Sequence, residues 1–226
     1  MANKKQLGVN RIGDWFLRYD DIEYFSQRDN QHDPYRTCYP TSVSMVLNYY
    51  LKQIKKTRMD IGCPQHLQLE DYLHECIYIT YRDEVISYMR QQGSWITPFI
   101  KAGQKHLTFA ANAYIFNKFM RPFGFVLNYR NKMTANQVCD FVEKNGPQVI
   151  HGEYGSVTHG ANKVYGHVTV ISGYDKRNRN FCIEDPYGDA GSNYMNRCGG
   201  NVRYGMDLRI WTDRRDGIAL TTVEKL

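Results

Sequence analysis

The order of elements along this 226-residue chain predicts an α+β fold, with helices first and an antiparallel sheet after them. Two observations carry that prediction. Helical spacing of apolar residues dominates up to about residue 146, and strand-like alternation broken by tight turns dominates beyond it. A Gly-Pro pair at Gly146 and Pro147 marks the change. There is no internal repeat, low-complexity tract or Gly/Ser linker, so residues 1–226 are expected to form a single domain.

Residues 1–30 are polar with isolated aromatics and are expected to wrap the surface. A helix begins near Thr37 or Cys38. Pro40 suits its first turn, where no backbone donor is required, and Val43, Val46, Leu47 and Tyr50 make its buried face. Two short helices are expected over 65–76 and 82–92, the second capped by Gly93, and another over 108–121, ended by Pro122. Thr134 and Gln137 form a capping box ahead of Val138, Phe141 and Val142. Strands follow. Residues 148–153 form one. Residues 167–174 alternate between a face with Val168, Val170 and Ser172 and a face with His167, Thr169, Ile171 and Gly173. After the turn DKRNRN, residues 181–185 return, and 201–204 and 217–223 add further strands.

Composition limits the function classes. The chain is 42% hydrophobic and 23% charged, ordinary for a globular protein. The formal net charge of +6 is scattered. Its densest cluster, 52-KQIKKTR-58, reads as a solvated helix end, so nucleic acid is not indicated, while an anionic substrate suits the charge. Tyrosine is abundant, as at surfaces that meet peptides or sugars. No apolar run approaches a membrane span. The opening residues lack the apolar stretch of a secretory signal, which predicts synthesis in the cytoplasm with free thiols. The six cysteines include no CxxC or CxxH pair, and neither metal nor cofactor is expected.

Four residues stand out as a candidate reactive set. Cys38 sits where a loop meets a helix, and the positive end of a helix dipole stabilises a thiolate; the other five cysteines lack that setting. His167 opens an alternating strand after Gly166, a glycine that would let another backbone or a substrate approach. Asp185 ends the returning strand. If Tyr174 pairs near Asn180, Asp185 falls opposite His167 or Thr169, within reach of the imidazole; the alternative is that Asp-Pro only starts the turn DPYGD. Asp175, at the far end of the hairpin, is a poorer partner. Gln27, 11 residues before Cys38, has the amide that an oxyanion donor needs, together with the Cys38 backbone N–H. Two weaker patterns compete. His66, Glu70 and His74, four apart, could share a helix face and bind zinc, but Glu70, Asp71 and Glu75 read instead as a solvated acidic surface. His159, in a glycine-containing loop, is a second candidate base.

The stretches 24-YFSQRDNQHDPYRTCYPTSVSMVLNYY-50 and 166-GHVTVISGYDKRNRNFCIEDPYGD-189 resemble the two signatures of cysteine peptidases related to the bacteriocin-processing (double-glycine) peptidases, within the papain-like superfamily. The tail 203–220 is similar to the family's closing segment, while 77–145 is less recognisable. The resemblance implies a helical part carrying the nucleophile, packed on a C-terminal sheet. It assigns Cys38 as nucleophile, His167 as base, Asp185 as orienter and Gln27 to the oxyanion hole. Tyr39 departs from the small residue that commonly follows the cysteine. The implied activity is hydrolysis of peptide amide bonds through a thioester. Similarity to phage-borne and bacterial members points to peptidoglycan stem peptides as substrate, in an endolysin or virion-associated lysin. A leader-processing peptidase is the alternative, disfavoured because the chain carries no transporter domain. A silent peptide- or partner-binding module is the third reading, and an intact Cys-His-Asp set argues against it. Oligomeric state is not readable.

Overall fold

The structure is a computed structural model that describes residues 17–31, 34–93, 109–153, 166–192, 194–207 and 217–226. Helix α1 (Cys38–Gln53) begins where the sequence predicts and is buried along most of its length. Val43, Val46, Leu47 and Tyr50 lie in the core together with Met45, Tyr49 and Leu51. Helices α2 (Leu69–Glu75) and α3 (Arg82–Gln91) flank a five-residue π-helical stretch, Cys76–Thr80, and α3 packs on α4 (Phe109–Met120). Helix α5 (Ala135–Asn145) is capped reciprocally by Thr134 and Gln137, as the capping box predicts.

The described strands are β1 (Leu17–Arg18), β2 (Phe125–Met133), β3 (Gln148–Glu153), β4 (Gly166–Asp175), β5 (Asn180–Glu184), β6 (Val202–Gly205) and β7 (Ile218–Lys225). They form one antiparallel sheet in the order β2-β7-β3-β4-β5-β6, with β1 paired to β4 beyond the point where β3 stops. This is the α+β architecture expected from the sequence. Helix α1 packs on β4, and the Ser42 hydroxyl donates to the Val168 carbonyl at 2.9 Å, fixing the start of the helix beside His167.

The structure corrects several expectations. Two residues of the N-terminal segment join the sheet rather than wrapping the surface: Leu17 and Arg18 pair with β4, Leu17 and Tyr19 are buried, and the Tyr19 hydroxyl donates to the Val142 carbonyl. Close backbone approach occurs at Gly173, where a Cβ would lie 2.2 Å from the Leu17 carbonyl oxygen, whereas a Cβ on Gly166 would meet none of the described residues within 4 Å, which leaves room there for a substrate. The acidic surface expected around α2 is interior. Glu70, Asp71 and His74 are all buried, and Asp71 accepts the Gln31 N–H. His66 lies outside the helix, which starts only at Leu69, so the zinc pattern is not on one face, and the described residues contain no metal-ligand cluster. His159 and 208–216 of the closing segment lie outside the described residues.

Candidate active site

Cys38 occupies the first turn of α1, where backbone N–H groups have no intrahelical partner. The loop leading into it is tied down by Asn30. Its buried side-chain amide donates to the Thr37 and Thr41 hydroxyls at 2.8 and 2.9 Å.

His167 is the second residue of β4, and its Nε2 lies 2.7 Å from Asp185 Oδ1. The register explains the pairing. Val170 lies opposite Glu184 and Ile171 opposite Ile183, so one further step brings Asp185 level with Thr169, one of the two positions predicted. A bulge at Ser172 shifts the far end, where Tyr174 pairs with Phe181 and Asp175 with Asn180. With Nε2 committed to the carboxylate, Nδ1 is left to the Cys38 thiol, which hydrogen-bonds to the ring. Burial alone would depress the imidazole pKa. The Asp185 charge, its hydrogen bond and the contact with Cys38 outweigh that and push His167 up to about 10.

Asp185 is fully buried and both its oxygens are used. Oδ1 accepts from His167 and from the Tyr187 N–H at 3.0 Å, and Oδ2 accepts the Tyr204 hydroxyl at 2.9 Å. The turn reading and the orienting geometry therefore hold together: the Tyr187 bond starts the turn while the imidazole bond spans two strands. The backbone is clamped too. The Asp185 N–H donates to the Gly199 carbonyl, and the Tyr24 hydroxyl donates to the Asp185 carbonyl while accepting from the Gly199 N–H. Sequence reading misses Tyr204, Tyr24 and Gly199, because contacts between residues so far apart in the chain leave no local pattern. Asp175 accepts from Asn178 in the distal turn, away from the imidazole.

The clamp yields a stability prediction. A Cβ on Gly199 would lie 2.0 Å from the Asp185 carbonyl oxygen, so Gly199→Ala must push the two backbones apart. It is expected to cost about 3 kcal/mol or more in urea unfolding, in the range of overpacked interiors. Gly166→Ala, whose new methyl would meet none of the described residues within 4 Å, should stay within about 1 kcal/mol of the parent.

Gln27 opens a short 3-10 turn, Gln27–Asp29, and its backbone N–H donates to the carbonyl of Pro186, next to Asp185. Its side chain is buried. Nε2 donates to the Pro34 carbonyl at 2.7 Å and Oε1 has no hydrogen-bond partner among the described residues. The Pro34 carbonyl fixes which way the amide points, because the reverse would set two oxygens face to face. One N–H of the amide remains for another acceptor.

Tyr39, beside the nucleophile, faces inward. Its hydroxyl pairs with Thr221 Oγ1 at 2.5 Å, and Thr221 in turn with His151 Nε2 at 2.8 Å. A cavity of about 610 Å³ beside β2 and α5, lined by Tyr129, Lys132, Phe141 and Lys144 among others, contains none of these reactive groups, so volume is no guide to the chemistry here. All six cysteines are unpaired, and among the described residues no helix is long and apolar enough to cross a membrane.

Residues 19–204, more than half of the chain, match the model of the Peptidase_C39 like family. A crystal structure from Bacillus anthracis, described as a presumptive C39-like peptidase, superposes with a TM-score of 0.53 at 11% identity, covering 92% of this chain and 98% of that one. That likeness speaks to the fold alone. No curated protein matches the sequence. The chain thus belongs to the Peptidase_C39 like family, cysteine peptidases of the papain-like superfamily related to the bacteriocin-processing peptidases.

Proposed function

We propose that Cys38, His167, Asp185 and Gln27 are the working residues of this peptidase, and that it cleaves the stem peptides of peptidoglycan as a phage or bacterial lysin. The observation that carries the first half is the 2.7 Å contact between His167 and a fully buried Asp185, with Cys38 at a helix start on the other side of the ring. His167 holds the proton of the Cys38 thiol, as the imidazolium its raised pKa favours, and the sulfur attacks the scissile carbonyl. The developing oxyanion is held by the Cys38 backbone N–H and the remaining N–H of Gln27 Nε2. The imidazolium then protonates the departing amine, leaving a thioester. Water, deprotonated by the same imidazole, attacks the thioester and returns the thiol. Asp185 holds the ring and stabilises the imidazolium without taking its proton.

Gln27 acts only as charge develops on the carbonyl oxygen. Gln27→Ala is therefore expected to lower kcat by roughly 100- to 1000-fold with little change in KM, measured by steady-state kinetics on one synthetic peptide. An unchanged kcat would remove it from the oxyanion site.

The net charge of +6 supports an anionic polymer as substrate. Zymography on purified peptidoglycan, with mass spectrometry of the released fragments, tests this. Clearing with cleavage inside the stem peptide is expected. Intact peptidoglycan together with cleavage after Gly-Gly in a synthetic leader would replace the lysin reading with leader processing.

A further inference from the structure

Arg28 follows Gln27 directly and is half-buried. Its Nε donates to the Tyr187 carbonyl at 2.5 Å and one Nη reaches the Tyr194 carbonyl at 3.4 Å. Its guanidinium lies over the Tyr187 ring, 4.1 Å from the centroid. All these partners are neutral, and among the described residues no carboxylate forms an ion pair with Arg28. A half-buried, immobilised cation without a counterion is costly to keep, and guanidinium groups so held are suited to planar carboxylates. Several N–H donors remain on the group.

The surroundings place this charge beside the candidate site. Tyr187 is the residue whose N–H holds Asp185 Oδ1. The Tyr194 ring packs edge-on against Tyr187, with centroids 5.1 Å apart, and Tyr35, three residues before Cys38 and 77% exposed, extends the same wall outward. Tyr194 has φ of +60°, a conformation that strains a bulky side chain, yet the Asp189 and Arg28 bonds hold it there. Its phenol is pushed above the ordinary value by burial first, then by the charges of Asp185 and Cys38, while Arg28 pulls the other way. It therefore remains an O–H donor within electrostatic reach of both the sulfur and the guanidinium.

We propose that Arg28 and Tyr194 form a subsite that reads a carboxylate on the substrate peptide next to the scissile bond, with the Tyr187 and Tyr35 rings as its wall. This rests on the peptidase reading and narrows it. Stem peptides carry free carboxylates near their amide bonds, and a Gly-Gly leader junction has none.

Two pools of synthetic octapeptides, identical except for glutamate in one and glutamine in the other, test the subsite in two ways. In the first, the parent cleaves the pools. The glutamate pool should be cut about tenfold faster or more, the worth of one well-placed charged hydrogen bond. That ratio should collapse toward one in Arg28→Gln, recover partly in Arg28→Lys, and fall in Tyr194→Phe, which keeps the ring and loses only the donor. In the second, the pools are passed over immobilised Cys38→Ala, and the retained peptides are counted by mass spectrometry. Preferential retention of glutamate peptides, lost in Cys38→Ala/Arg28→Gln and weakened by salt, upholds the subsite even if the parent cleaves nothing, in which case only the peptidase reading fails. Equal treatment of the two pools in both assays overturns the subsite, as does a glutamate preference that survives Arg28→Gln. If Arg28→Gln loses its fold by circular dichroism, an unaltered pool ratio in Tyr194→Phe and Arg28→Lys likewise counts against it.

Discussion

Cys38→Ala is expected to abolish peptide hydrolysis, lowering kcat/KM by about 10⁴-fold or more, as removal of a nucleophile does in comparable triads. The size of the effect follows from the setting of the other thiols. Cys63, Cys76, Cys139 and Cys182 are buried, and burial pushes them up to about 11, 12, 12 and 12, so few of their thiolates exist near neutral pH and none is reachable. Cys198 is exposed but sits in a loop before Gly199, not at a helix start. No second thiol can substitute. Cys63→Ala and Cys198→Ala should keep most of the activity, and Cys38→Ala should keep the parent circular dichroism. The measurement is steady-state hydrolysis of one peptide by the three variants, with iodoacetamide labelling of the parent mapped by mass spectrometry. Turnover by Cys38→Ala at the parent rate, or labelling that spares Cys38, would sink the mechanism.

The parts of this site that the sequence reveals are those set by local rules. A cysteine at a loop-to-helix junction, the capping box at Thr134 and the hairpin through DKRNRN each depend on neighbours within a few residues, and each lies where expected. Even the reach from Asp185 to His167 follows from counting back along a hairpin, although the bulge at Ser172 makes the distal pairing differ by one residue. What escaped depends on distant partners. Strand β2 reads poorly because its second half, Asn128–Lys132, is exposed at the sheet edge and lacks apolar alternation. The carboxylates of α2 read as surface because charge usually is, yet Asp71 is buried against the loop that leads to Cys38 and accepts the Gln31 N–H. Tyr24, Tyr204 and Gly199 act on Asp185 from segments that no periodicity connects to it. Arg28 is a surface arginine to the eye, and only the fold stacks it on Tyr187.

Asp185→Ala is expected to be the second most damaging change, lowering kcat/KM by roughly 10³- to 10⁴-fold. The loss is larger than that of one hydrogen bond because the carboxylate does three things at once. It fixes the ring through Nε2, it stabilises the imidazolium, and it anchors the turn through Tyr187 and Tyr204. Asp185→Asn should be milder, since an amide oxygen can still accept from the ring while the charge is lost. The pH profile separates charge from scaffold. With His167 raised from 6.5 to about 10, the imidazolium persists through neutral pH, and the alkaline limb of kcat/KM in the parent should fall near pH 10. Both Asp185 variants should move that limb toward lower pH, because the largest upward influence on the ring is gone. Stability carries the same sign. A histidine raised on folding contributes stability that is fully present below pH 6.5 and is lost as pH rises through about 10. Urea unfolding of the parent should therefore weaken across that window, and Asp185→Ala should flatten the dependence as well as lower the whole curve. An alkaline limb that stays in place in Asp185→Asn, with full turnover in Asp185→Ala, would reduce Asp185 to a turn residue and leave the imidazole without its orienter.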